Sequence, residues 1–231
     1  MNFLLITGAS SGIGLATARA FKEKQYNIIN ISRRPCPLPG ALNLRCDLSQ
    51  ATELSALAGE LQKALRGAER VSVVHNAARL ENDNFGQTSS ESLRSVLEIN
   101  LVAANGLNNL LLPLMKPGSS IIYVGSTLAE KAVPGTYSYV ISKHALIGMM
   151  RATCQDLNGK EIHTACICPG FTDTEMLRTH LPEDAIESIA EMNVFGRLIQ
   201  PEEIAASLLF AAENPVVNGS VIHANLGQVE N

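Results

Sequence analysis

Short runs rich in Ile, Val and Leu alternate along this chain with longer stretches in which apolar residues recur at helical spacing. The short runs predict β-strands at residues 2–7, 27–31, 41–46, 71–75, 119–124, 161–167 and 219–224. The longer stretches predict helices at 13–25, 50–66, 89–112, 137–157, 183–193 and 201–213, with Ser90 and Pro201 as start signals for two of them. Strands joined by crossover helices build a parallel sheet, so the expected fold class is α/β. The simplest assembly is a Rossmann-type doubly wound domain, a sheet of about seven strands with helices on both faces. No repeat, linker or low-complexity segment divides the chain, and its 231 residues fit one domain spanning 1–231.

Composition narrows the function classes. Hydrophobic residues make up 46% and charged residues 17%, enough apolar surface for a core and no mark of disorder. The formal charge of −4 is small and the basic residues are scattered, which argues against a nucleic-acid or membrane partner. The start Met1-Asn2-Phe3-Leu4-Leu5 has no basic leader, and no apolar run is long enough to span a bilayer, so a cytoplasmic location is expected. Five cysteines, an odd number without a Cys-x-x-Cys pair, read as structural thiols. Cys166 and Cys168 share one face of a strand, but no histidine cluster accompanies them, and no metal is expected.

Two segments break the regular pattern. Residues 33–40, Arg-Arg-Pro-Cys-Pro-Leu-Pro-Gly, hold too much proline for regular structure and predict an exposed loop after the second strand. Residues 171–197 mix helix and loop and suit a flap over a substrate pocket. Met176, Leu177, Leu181, Ile186 and Met192 would make that pocket apolar or mixed, and His180 is a candidate for its lining.

The candidate chemistry starts after the first strand, with Thr7-Gly8-Ala9-Ser10-Ser11-Gly12-Ile13-Gly14 leading into a helix. Glycines in that context let backbone amides approach a pyrophosphate at a helix N-terminus. No Lys-Ser or Lys-Thr follows, so this is not a Walker loop. At the end of the second strand stands Ser32-Arg33-Arg34, where an acidic residue would grip the ribose hydroxyls of NAD. Guanidinium groups suit a 2′-phosphate instead, so NADP(H) is expected over NAD(H).

Tyr139 and Lys143 stand four apart in a helical pattern and share one face. Ser126 follows a strand at its carboxyl edge, where ligands collect in open α/β sheets. A free phenol holds its proton to about pH 10, and a neighbouring ammonium favours the phenolate. Tyr139 is therefore the expected acid/base, Lys143 its partner, and Ser126 the hydrogen-bond donor that orients a substrate oxygen. The sequence around the serine, Val124-Gly125-Ser126-Thr127-Leu128, lacks the elbow of a serine hydrolase.

In order along the chain, the glycine loop, Asp47, His75-Asn76-Ala77-Ala78, Asn100, Ser126, Tyr139 to Lys143 and Pro169-Gly170 resemble the motifs of the short-chain dehydrogenase/reductase family, in its shorter, classical branch. The resemblance spans nearly the whole chain. It implies cofactor contacts at Gly8, Ser10, Ser11, Gly12, Ile13, Gly14, Ser32, Arg33, Arg34, Asp47, Leu48, Asn76, Ala77, Ala78, Tyr139, Lys143, Pro169, Gly170, Thr172 and Thr174. Asp47 would accept from the adenine amino group, although an Asp at a helix start also serves as a cap. Asn100 would help hold a water that refills the proton on Lys143 and Tyr139. His75 and Ala78 depart from the family's Asn-Asn-Ala-Gly, and Leu226-Gly227 from a frequent Gly-Gly.

The expected activity is hydride transfer between nicotinamide and a small carbonyl or alcohol substrate, in a homodimer or homotetramer. The alternative is a non-catalytic NADP-binding regulator on the same fold. The longer epimerases and dehydratases related to the family carry a different glycine spacing and an extra substrate region, and this chain has neither.

Overall fold

A computed structural model describes residues 1–228, apart from the side chains of Glu183 and Asp184. The last three positions of the expected domain, 229–231, lie outside the described residues. Among the described residues seven strands form one parallel sheet in the order β3-β2-β1-β4-β5-β6-β7. They are β1 (Asn2–Thr7), β2 (Asn27–Ser32), β3 (Leu42–Arg45), β4 (Arg70–His75), β5 (Ser120–Val124), β6 (His163–Pro169) and β7 (Val221–Ala224). The chain runs outward from β1 to β3 and then returns to place β4 beside β1. That reversal opens a crevice at the carboxyl ends of β1 and β4, where open α/β sheets bind ligands.

Each central strand is apolar on both sides because both faces are covered. Leu5, Ile29, Ile31, Val73 and Tyr123 face one core, with Leu61, Leu107 and Met150 packed on them. Leu4, Ile6, Val74 and Ile122 face the other, under Phe21, Ile204 and Leu208. Successive residues of β1 thus feed opposite layers, as the period of two requires.

The helices depart from the expected spans in ways that matter for the site. Helix α1 (Gly12–Glu23) starts in the glycine loop. The stretch read as one helix over 50–66 is two, α2 (Ala51–Ala56) and α3 (Ala58–Ala64), parted at Leu57, whose amide bonds to Leu54 in a tightened turn. Leu54, Leu57, Leu61 and Leu65 are all buried along it.

The stretch read as one helix over 89–112 is α4 (Ser90–Leu97), a five-residue π-helical turn (Glu98–Val102) and α5 (Ala103–Leu111). Helix α6 (Tyr137–Asp156) is continuous. Residues 171–197 contain two short helices, α7 (Glu175–His180) and α8 (Glu183–Ala190), because Pro182 can begin a helix but not continue one. Helix α9 (Pro201–Glu213) begins with a capping box between Gln200 and Glu203. Bridges Thr172 to Ile199 and Asn193 to Gln228 anchor the two ends of that segment.

Candidate active site

The glycine loop is held from beneath by side chains of neighbouring strands. Asn30 on β2, 1% exposed, accepts from the Ala9 amide at 2.9 Å. Thr7 Oγ1 accepts from the amides of Asn76 and Ala77, both at 3.0 Å. Asn76 Nδ2 donates back to the carbonyls of Thr7 and Gly8 at 3.0 and 3.1 Å. Asn76 and Ala77 therefore brace the loop, whatever else they contact.

A Cβ at Gly14 would lie 2.2 Å from the Gly8 carbonyl oxygen, so helix and strand meet there through glycine alone. Gly12 has φ of +54°, a left-handed conformation that an L side chain rarely adopts. Helix α1 begins without a side-chain cap and without an acidic residue in its first turn. Its free amides and dipole fit an anionic pyrophosphate. Thr174 overhangs the loop: its Cγ2 lies 3.2 Å from where a Gly12 Cβ would be, while its Oγ1 caps α7. Ser10, Ser11 and Ile13 are half-buried along the same rim.

At the end of β2, Arg33 and Arg34 are exposed. Ser32 Oγ donates to the Arg34 carbonyl. The Arg34 guanidinium reaches Ser11 Oγ at 3.4 Å and Glu175 at 3.2 Å, so it stands at the mouth of the groove. Asp47 receives the amide and hydroxyl of Ser49 at 2.9 and 2.8 Å, the local turn that a cap would make. Those bonds, with the charge of Arg33, hold its carboxyl below the usual range. Leu48 is buried beside it.

The chemical end lies at the carboxyl edge of β5. Ser126 leads into a short turn, Thr127–Ala129, and its Oγ accepts from Leu128. Tyr139 and Lys143 are both buried on α6, and Lys143 Nζ stands 5.4 Å from the Tyr139 ring centroid. Nζ donates to the Val124 carbonyl at 2.7 Å, which ties α6 to the end of β5. The π-turn carries Asn100, 5% exposed, into the same region. Its Oδ1 accepts from the Arg79 amide at 2.7 Å, and its Nδ2 donates to the Arg79 carbonyl and to Ser142 Oγ, each at 2.9 Å.

Between Asn100, Lys143, His75, Thr7 and Val124 lies a cavity of about 10 Å³. A single water needs roughly that much room. His75 stacks on Tyr123 at 5.0 Å and hydrogen-bonds to Asn108 at 2.7 Å. Burial pushes its imidazole down to about 4, so it stands neutral in that wall at pH 7.

Several positioning groups carry no signal in the local sequence. Asp83, in the loop after β4, accepts from the Ser138 amide at 3.0 Å and caps α6 from outside it, since the preceding Thr136 makes no cap of its own. Ser142 hydrogen-bonds Asn100 to the Tyr139 carbonyl. Cys166 and Cys168, with sulfurs 3.9 Å apart, pack beneath Gly125, where a Cβ would lie 2.7–2.8 Å from them. They fill space under the Ser126 loop.

Gly170 and Thr172 close the far side: Thr172 Oγ1 donates to the Gly170 carbonyl at 3.0 Å, and the Gly170 amide bonds to Ala224 next to Pro169. Ala78 is half-buried after β4. His180 faces the carbonyls of Met176 and Leu80, at 2.8 and 3.0 Å, and so joins α7 to the segment after β4. Met176 and Met192, read as pocket candidates, are 39% exposed.

Sheet topology and glycine loop together define a dinucleotide-binding α/β protein. A family model described as enoyl-(acyl carrier protein) reductase matches residues 8–228. Carbonyl reductase family member 4 of Xenopus tropicalis is 31% identical over 227 residues, covering 94% of this chain and 93% of the relative. The 3-oxoacyl-(acyl-carrier-protein) reductase FabG of Thermotoga maritima is 29% identical over 240 residues, covering 97% and 96%. Among solved structures, Thermoplasma acidophilum aldohexose dehydrogenase superposes with a TM-score of 0.89 at 23% identity, covering 98% of this chain and 93% of that one.

The chain belongs to the short-chain dehydrogenase/reductase family. It is an oxidoreductase that uses a nicotinamide cofactor. Among the described residues no helix is long and apolar enough to cross a membrane, and no cluster of metal-binding side chains is present.

Proposed function

We propose that this chain is an NADP(H)-dependent carbonyl reductase, with Tyr139 as acid/base and Ser126, Lys143 and Asn100 as its partners. The observation that carries the reading is the burial of Tyr139 and Lys143 on one face of α6, at the carboxyl edge of β5 and across the crevice from the glycine loop. Bound nicotinamide would supply the hydride. Ser126 would donate a hydrogen bond to the substrate oxygen and orient its carbon. Tyr139 would pass its proton to that oxygen, and the Lys143 ammonium favours the phenolate left behind. The cavity between Asn100 and Lys143 has room for a water that returns the proton.

The preference for NADP(H) rests on Arg34 and Ser11, whose donors converge at the mouth of the groove, and on exposed Arg33. Asp47, Leu48, Asn76, Ala77, Ala78, Gly170, Thr172 and Thr174 would complete the cofactor site. The substrate is a small carbonyl or alcohol, covered by the flap over 171–197. A homo-oligomer fits the exposed apolar side chains Phe210 and Val216 near edge strand β7, and a cytoplasmic setting fits five free cysteines.

The test follows nicotinamide absorbance with NADPH, then NADH, against ketones, aldehydes, quinones and acyl thioesters, with Tyr139→Phe alongside. Turnover that falls by about 10²-fold or more in the variant supports the reading. Cofactor binding without turnover on any substrate favours the non-catalytic regulator instead.

A further inference from the structure

The mouth of the cofactor groove holds a carboxylate that the proposed reaction does not use. Glu175 opens α7, on the flap, across the glycine loop from the end of β2. Its Oε2 accepts from Arg34 Nη2 at 3.2 Å and from Ser11 Oγ at 3.3 Å, and Arg34 Nη2 lies 3.4 Å from the same hydroxyl. A guanidinium and a hydroxyl thus converge on one anionic oxygen. That is the donor set a phosphate oxygen would take, and a carboxylate already occupies it.

Resting on the NADP(H) reading, we propose that Glu175 is a specificity-determining residue: an internal anion that fills the 2′-phosphate seat and competes with the phosphate for Arg34 and Ser11. NADPH must displace the carboxylate and bind with its negative charge nearby, whereas NADH, which lacks the phosphate, displaces nothing. Glu175 therefore narrows the difference in affinity that Arg34 creates.

The geometry makes the exchange feasible. Both side chains of the pair are more than half exposed, at 63% and 62%, so the contact is weak and its partners can be swapped. Arg34 also holds the Glu175 carboxyl below its usual range, which keeps it an anion across the working pH. Arg178, in the last turn of α7, is bound twice to Asp173, at 2.8 and 3.1 Å. Arg19, on α1, lines the adjoining groove together with Glu175.

The experiment measures dissociation constants of NADPH and NADH by fluorescence titration, with no turnover involved, in the parent protein, Glu175→Gln, Arg34→Ala and the double variant. Circular dichroism checks that each is folded. Glu175→Gln should tighten NADPH about twofold to fivefold, the scale of an exposed ion pair, and leave NADH nearly unchanged. Arg34→Ala should weaken NADPH about tenfold, and Glu175→Gln should then tighten it by less than it does in the parent, because the competition for Arg34 is gone and only Ser11 is left to free.

Equal tightening of both cofactors, no change, or weaker NADPH binding in Glu175→Gln overturns the role of Glu175, while the loss in Arg34→Ala still supports the NADP(H) reading. An NADPH constant unmoved by Arg34→Ala sinks that reading and the seat together.

Discussion

His75 makes a buried wall of the small cavity beside Asn100 and Lys143, and its burial has a cost that can be measured. An imidazole of ordinary pKa 6.5 is pushed down to about 4 in the folded chain. The unfolded chain therefore binds more protons between those values, and stability falls as the pH drops through them. Between pH 7 and pH 5 the two protonation curves separate by about 1.4 units, worth about 2 kcal/mol at 1.36 kcal/mol per unit. Below pH 4 the loss levels off at about 3 kcal/mol.

Urea unfolding at pH 7 and pH 5, in the parent and in His75→Asn, isolates this share. His163, whose burial lowers it in the same direction, and all carboxylates contribute equally to both proteins and cancel in the difference. The parent should lose about 2 kcal/mol more than the variant on acidification. Identical losses would refute the argument that His75 is neutral and desolvated in the fold.

Other expectations follow from the same geometry. Gly14→Ala places a Cβ 2.2 Å from the Gly8 carbonyl and should lower the melting temperature and weaken cofactor binding, both readable by thermal shift with and without NADPH. Asp83→Ala removes the outside cap of α6 and should cost about 1 kcal/mol, whereas Asp83→Asn keeps an acceptor and should recover most of it; equal losses in a denaturation series would discount the cap. Leu107→Ala hollows a fully buried position under the sheet and should cost about 2–5 kcal/mol by the same assay.

The sequence alone carries the features that depend on neighbours along the chain. The strand–helix alternation yields the parallel sheet because period and turn chemistry are local. The glycine loop is legible because one helix turn demands glycines at fixed offsets. Tyr139 and Lys143 are legible because four residues bring side chains to one helix face. The π-turn is not, because one widened turn leaves the apolar pattern of 89–112 nearly unchanged while it re-aims Asn100.

Tertiary structure alone decides the contacts that close across the crevice. Asp83 caps a helix 55 residues away, and Arg34 meets a carboxylate 141 residues on. No local period encodes either distance. Asn76 turns its amide to the glycine loop, and Asp47 turns its carboxylate to Ser49, because a polar group takes the partner that packing puts within reach. Chain order can place these residues near the site, but three-dimensional packing decides which atoms meet.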